Sequence, residues 1–264
     1  MNSATDIDWF DLAVGYLLLV LPLWAIAYFR TGLVKDTLIA IARMSVQLFL
    51  VGLYLEFIFK LNNIWINMLW VLLMVLFATY TIIGRSALSY KIYWFPLFSA
   101  IALSLIVVIG YCFIVILKPD YFFEARYLIP IAGMLLGNCI QSNIIGLNAY
   151  YSRLREDQLL YYYALANGAT REEALIPFMR DALRKAANPA IASMAVIGLV
   201  SLPGMMTGQI LGGSNPGVAI KYQIMIMIAI FTASLLTVVL TIFIANKFAF
   251  DDFDNFKSNA VKIL

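Results

Sequence analysis

Histidine is absent from this 264-residue chain, cysteine occurs only twice, and charged residues make up just 12% of it. Without histidine there is neither an imidazole base nor the commonest transition-metal ligand, so the familiar acid–base and zinc chemistries lack their usual residue. Cys112 and Cys139 both lie in apolar runs. They read as small buried hydrophobes, which excludes a disulfide framework or a thiolate metal site. The net charge of +3 is too small to suggest nucleic acid as a partner. No G-x-x-x-x-G-K-[ST] phosphate loop occurs anywhere, so nothing in this sequence would cradle a nucleotide. No repeat, low-complexity tract or linker divides it either, and residues 1–264 read as one domain.

What the chain does have is apolar length. Apolar residues make up 63% of it, more than a soluble fold of this size can hide, so the class is integral membrane protein. Seven runs are long enough to cross a bilayer, at roughly 9–29, 37–59, 64–83, 96–117, 127–150, 188–211 and 220–246. Interfacial aromatics such as Trp9, Trp65, Trp94 and Tyr127 mark several ends. The first ten residues are acidic and lack the basic start of a signal peptide, so the first run is expected to stay as an anchor. The expectation is an all-α membrane protein of about seven helices. With the N-terminus outside, thirteen of the eighteen basic residues fall on the inner connections and the tail. That bias predicts an outer N-terminus and a cytoplasmic C-terminus.

Two stretches stand out. The inner segment 151–187, YSRLREDQLLYYYALANGATREEALIPFMRDALRKAA, is longer than a connection needs to be. It predicts a helix ending at Gly168, then a second helix capped by Thr170 with Glu172 and Glu173 in its first turn. The second helix would run over about 171–187 and place Ala174, Phe178, Ala182 and Leu183 near one side. The pair fits either a knob for another protein or a hairpin lying on the inner leaflet. The other stretch, GLVSLPGMMTGQILGG at 198–213, puts five glycines and Pro203 at membrane depth. Pro203 removes a backbone donor and Gly204 adds slack, so the sixth crossing should kink or unwind there and face protein or a watery cavity. A hinge, a pathway wall and a dimer face built on Gly204-x-x-x-Gly208 all fit, with Met205, Met206 and Gln209 alongside.

The remaining polar groups inside the spans are few. Arg43 and Gln47 share a face of the second span, where Arg43 reads as snorkelling to the inner interface or as a bundle-facing contact, and Glu56, near the outer end, reads as interfacial or as lining an outer vestibule. On the fifth span, Gly133-x-x-x-Gly137 allows close packing, and Asn138 and Gln141 are candidates for hydrogen bonds across an interface or for lining a path. Met205 and Met206 would suit a soft ion, but adjacent helical residues point about 100° apart, and no metal cage is expected.

ALANGAT (164–170) and the following helix resemble the cytoplasmic loop through which ABC-transporter permeases meet their ATPase, with Tyr162 where that motif has its leading glutamate. Together with RMSVQLFLVGLYLEFIF (43–59), IPIAGMLLGN (129–138), SLPGMMTG (201–208) and AIKYQIM (219–225), the chain resembles the Fet-type ABC permease family. These are membrane subunits of bacterial iron exporters, similar to plant aluminium-tolerance subunits. The resemblance implies a multi-pass protein of the bacterial inner membrane, working as a homodimer with a separate cytoplasmic ATPase. ATP and Mg would bind that partner, and this chain would carry no cofactor and no catalytic residue. It also implies coupling through Leu165, Ala166, Asn167, Gly168, Ala169, Thr170 and Glu172. A self-contained secondary transporter or channel is the competing class. It would call for acidic residues at central depth, and the runs lack them there.

Overall fold

The computed structural model describes residues 8–86, 88–118 and 124–257. Apolar runs in lipid must satisfy their own backbone, and the described chain is accordingly helical almost throughout. A first rod is made of α1 (Trp9–Gly15), a 3-10 turn (Tyr16–Leu19) and α2 (Val20–Tyr28). Then come α3 (Val34–Leu61), α4 (Ile64–Arg85) and α5 (Tyr90–Tyr111), the last extended by a π-turn, Cys112–Leu117. They are followed by α6 (Ala125–Glu156), α7 (Gln158–Ala166), α8 (Arg171–Val196), α9 (Gly204–Leu211) and α10 (Pro216–Ala249). Among the described residues six rods are long and apolar enough to cross a membrane: Trp9–Tyr28, Val34–Leu61, Ile64–Arg85, Tyr90–Leu117, Ala125–Glu156 and Pro216–Ala249. The seventh expected crossing, 188–211, is assembled from the end of α8, a non-helical link and α9.

The core is the bundle of α4, α5, α6, α8 and α10. Lipid is as apolar as a leucine side chain, so close packing and interhelical hydrogen bonds must hold these helices together. Gly146 of α6 lets three helices meet. A Cβ there would lie 2.9 Å from Val238 Cγ1 on α10 and 3.3 Å from the Ala186 Cβ on α8. Inside the same junction Asn143 is fully buried. Its amide donates to the Cys139 carbonyl (2.8 Å) and to Thr237 Oγ1 (3.0 Å), and its Oδ1 accepts from Thr241 Oγ1 (3.3 Å). Ser104 Oγ on α5 donates to the Ala233 carbonyl of α10 (3.1 Å). Every helix of the core therefore packs on α10 or on α6.

The first two crossings are packed differently. Among the described residues, none in the apolar window of either is buried, whereas a third to a half is buried in the other four. Their tie to the core is one small cluster, Ile58 with Ala125 and Ile129, and the Asn62 side chain accepting from the Ala125 backbone N–H (3.0 Å).

Candidate functional site: the elbow and the interrupted helix

The elbow between α7 and α8 is written in local chemistry. Gly168 takes φ +88°, a left-handed conformation that glycine adopts without a Cβ penalty. There the Ala169 N–H donates to the Ala164 carbonyl (3.1 Å) and the Gly168 N–H to the Leu165 carbonyl (2.9 Å), so α7 ends in a Schellman turn. Thr170 then opens α8 with a reciprocal capping box. Its Oγ1 accepts from the Glu173 N–H (3.3 Å), while Glu173 Oε2 accepts from the Thr170 N–H (2.8 Å). The backbone N–H, then the hydroxyl, hold the Glu173 carboxyl below its ordinary pKa. Asn167 returns its amide to the Tyr163 carbonyl (2.7 Å). Leu165 and Ala169 are half-buried, whereas Ala166, Asn167, Gly168, Thr170 and Glu172 are exposed. Leu159 and Tyr163 on α7 also point outward, 86% and 70% exposed.

Charge pairs fasten this elbow to the body. Arg153 at the end of α6 pairs with Asp181 on α8 and lies 5.8 Å from the Phe178 ring centre. Arg171 at the start of α8 pairs with Asp254 (3.0 Å) in the segment after α10, over the Phe250 ring. The Tyr161 hydroxyl donates to the Asp254 carbonyl (2.8 Å), and burial pushes its pKa well above the ordinary phenol value. That segment turns back on itself around Asp251, which accepts from the backbone N–H groups of Phe253 (3.0 Å) and Asn255 (2.7 Å). The Phe250 ring lies against Tyr161, and Phe256 stacks on Tyr151. Sequence reasoning alone gives no weight to the residues after 246. The signal is the spacing of Phe250, Asp254 and Phe256, which gains meaning only when the elbow's tyrosines are known to lie beside it.

The second elbow helix is longer than expected. It does not stop near 187 but continues through Pro189 to Val196, because its first half packs on α6 and α10 through Ala174, Leu175, Phe178, Ala182 and Ala186. Leu183 is half-buried beside them. Then the helix breaks. Gly198 takes φ +90° and its N–H donates to the Ser201 carbonyl (2.9 Å), while the Val196 carbonyl accepts from the Val200 N–H (3.0 Å). The interruption therefore starts upstream of Pro203. Pro203 itself becomes the N-cap of α9, its carbonyl accepting from both the N–H (3.0 Å) and the hydroxyl (3.1 Å) of Thr207.

Within the single chain this interrupted stretch does not turn inward. Leu199 and Val200 are 91% and 81% exposed, and α9 contains no buried residue. Added Cβ atoms on Gly204 and Gly208 would meet open space. Met205, Met206 and Gln209 are half-buried, and Gln209 Oε1 is shielded with no hydrogen-bond partner. The glycines face away from the chain's own core because that core is already filled by α6 and α10.

The other sequence candidates do not gather into one site. Arg43 and Gln47 are exposed on α3. Glu56 pairs with Lys60 one turn on (2.7 Å), and both are largely exposed. Asn138 and Gln141 are exposed, and the Asn138 amide donates to the Met134 carbonyl of its own helix (2.9 Å) rather than across an interface. The interhelical bond belongs to Asn143, on the neighbouring face of the same helix. Gly133 packs against Met74 of α4 as a close-approach glycine should, whereas Gly137 is open. Among the described residues no group of three or more His, Cys, Asp or Glu side chains comes together to hold a metal.

Comparison with known proteins places this geometry. Residues 9–250 match the model of an uncharacterised protein family, UPF0014. The chain is 33% identical over 239 residues to the probable iron export permease protein FetB of Escherichia coli K12, covering 90% of this chain and 91% of that one. It is 32% identical over 237 residues to the UPF0014 membrane protein YjkA of Bacillus subtilis, covering 88% and 92%. It is also 33% identical over 192 residues to the protein ALUMINUM SENSITIVE 3 of Arabidopsis thaliana, covering 73% and 69%. No solved structure matches the chain. The chain belongs to the UPF0014 family and is a multi-pass membrane protein.

Proposed function

We propose that this chain is the permease subunit of an ATP-driven ABC transporter, exporting iron or another metal or its complex and working with a separate ATPase. The observation that carries the reading is the elbow at 157–173. It is a capped helix–turn–helix, fastened by Arg153–Asp181 and Arg171–Asp254 to α6 and to the segment after α10. It also turns Leu159, Tyr163 and Ala166 outward at i, i+4 and i+7, an apolar strip at a polar end of the molecule. A push on such an elbow is delivered to α8, and α8 leads directly into the interruption at 197–203. The FetB relative, whose name is that of a probable iron export permease, supports the metal cargo.

The interrupted stretch supports a second copy of the chain as partner. Backbone that leaves the helix at membrane depth must be surrounded by protein or by a water-filled cavity. Within one chain the 197–204 link is largely exposed, so a two-fold mate closing over it would meet that requirement.

Gentle purification of the tagged chain from its native membranes tests the reading. A cytoplasmic ATPase bearing a phosphate loop should co-elute, and it should be lost when residues 165–172 are replaced. Gly168→Leu is the sharper probe. An added Cβ has room, so its cost is the left-handed backbone alone, about 1 kcal/mol. The membrane fold should survive while transport uncouples from ATP hydrolysis. Recovery of the chain alone, under conditions that preserve a known ABC complex, would favour a self-contained transporter.

A further inference from the structure

The geometry points to a phospholipid-headgroup site between α8 and α10, which shares Glu172 with the stretch proposed to meet the ATPase. A cleft of about 160 Å³ there is lined by Arg171, Glu172 and Ile176 on one side and by Phe243 and Lys247 on the other. Its charges are only partly used. Arg171 is engaged by Asp254, but among the described residues neither Lys247 nor Glu172 forms an ion pair. The cleft thus offers one uncommitted ammonium and one uncommitted carboxylate beside an apolar wall.

Depth decides what reaches it. The hydrocarbon core is about 30 Å thick and the headgroup zone adds about 6 Å on each side, at about 1.5 Å of rise per helical residue. Counting from Ala219, the first buried residue of α10, about 20 residues of helix cross the hydrocarbon and reach the region of Leu240. Phe243 then falls at headgroup level, and Lys247, about a turn further on, reaches that level through its ammonium, which folds back over the Phe243 ring. Phe243 is exposed there, an apolar surface against which the start of an acyl chain can lie. Lys247 already folds its ammonium to within 5.8 Å of the Phe243 ring centre, holding the charge at the cleft's apolar edge.

The occupant these charges fit is a zwitterionic phospholipid with a primary amine, of the phosphatidylethanolamine type. Its phosphate would take Lys247, with Arg171 adding positive potential, and its ammonium would take Glu172. A purely anionic headgroup would satisfy Lys247 but meet Glu172 unpaired. That difference makes the site selective.

The test is native mass spectrometry on the purified full chain, delipidated and then titrated separately with phosphatidylethanolamine and phosphatidylglycerol. Wild type should retain phosphatidylethanolamine about fivefold better than phosphatidylglycerol, the factor expected for one charge contact near a membrane surface. Glu172→Gln should abolish that preference, and Lys247→Gln should lower retention of both lipids. Phe253→Ala, at an exposed position outside the cleft, should change neither. A wild-type preference in Glu172→Gln, or undiminished retention in Lys247→Gln, would overturn the assignment. Because these are surface side chains, folding is not at stake, and because the chain is titrated without an ATPase, the result does not depend on that reading.

Discussion

The stretch from Arg171 to Leu211 contains two halves made by opposite rules. Residues 171–186 are a helix that buries alanines and Phe178 against α6 and α10 and is pinned by Arg153 and Asp254. Residues 197–211 are a turn and a short helix that bury nothing fully and leave Leu199 almost wholly exposed. Both halves are rich in small residues, but those small residues serve different ends. In the near half Ala182 and Ala186 let helices of the same chain approach, with Gly146 opposite Ala186. In the far half Gly204 and Gly208 approach nothing in this chain. The near half is thus completed internally, and the far half is not.

Substitutions can break that contrast, and the near half should respond most. Gly146→Leu would drive a side chain into Val238 and Ala186, where overpacking costs about 3 kcal/mol. Detergent-solubilised protein should show a clearly lowered midpoint in tryptophan-monitored unfolding. Asn143→Ala comes next. It removes the bonds to Thr237 and Thr241, but Thr237 keeps its bonds to the Ala233 and Ser234 carbonyls of its own helix, so the loss should be about 1.5 kcal/mol in the same unfolding measurement.

Thr170→Ala should cost about 1 kcal/mol by uncapping α8, read as fraying of its first turn in amide exchange. The effect carries a pH signature. Glu173 has its carboxyl held below the ordinary 4.5, so its contribution is present above that value and lost as pH falls through the lower folded value. Wild type should therefore lose first-turn protection in acid, and Thr170→Ala, which keeps the backbone N–H but loses the hydroxyl, should show a smaller acid step.

The smallest stability effect belongs to the far half. Pro203→Ala should change unfolding by less than about 0.5 kcal/mol, since Pro203 caps a short helix with no fully buried residue. Turnover should nevertheless slow if the interruption is the moving part. A Pro203→Ala chain with wild-type transport would reduce the interruption to a packing feature.

Much of this architecture was legible in the sequence because lipid imposes simple rules. Six of the seven apolar runs are helices long enough to cross, and the elbow was readable from Gly168, Thr170 and its acidic first turn, which are local signals. The interruption was legible too, though Pro203 drew attention to its end when the backbone leaves the helix nearer Gly198. What could not be read was direction. Periodicity shows that Asn138, Gln141 and Asn143 share a helix, but only packing shows that Asn143 points into α10 while the other two do not. The segment after α10 was missed because Phe250, Asp254 and Phe256 acquire meaning only beside Tyr161, Arg171 and Tyr151, partners far away in sequence.

The contrast between the halves is best tested by cysteine cross-linking in native membranes, with single cysteines placed along 197–203 and at Arg180. The native Cys112 and Cys139 are buried and stay as a silent background. If the far half is completed by a second copy, Leu199→Cys or a neighbour should trap a disulfide-linked dimer, and Arg180→Cys should remain monomeric. Monomer at every position of 197–203 would contradict that account and leave the interruption facing lipid or water alone.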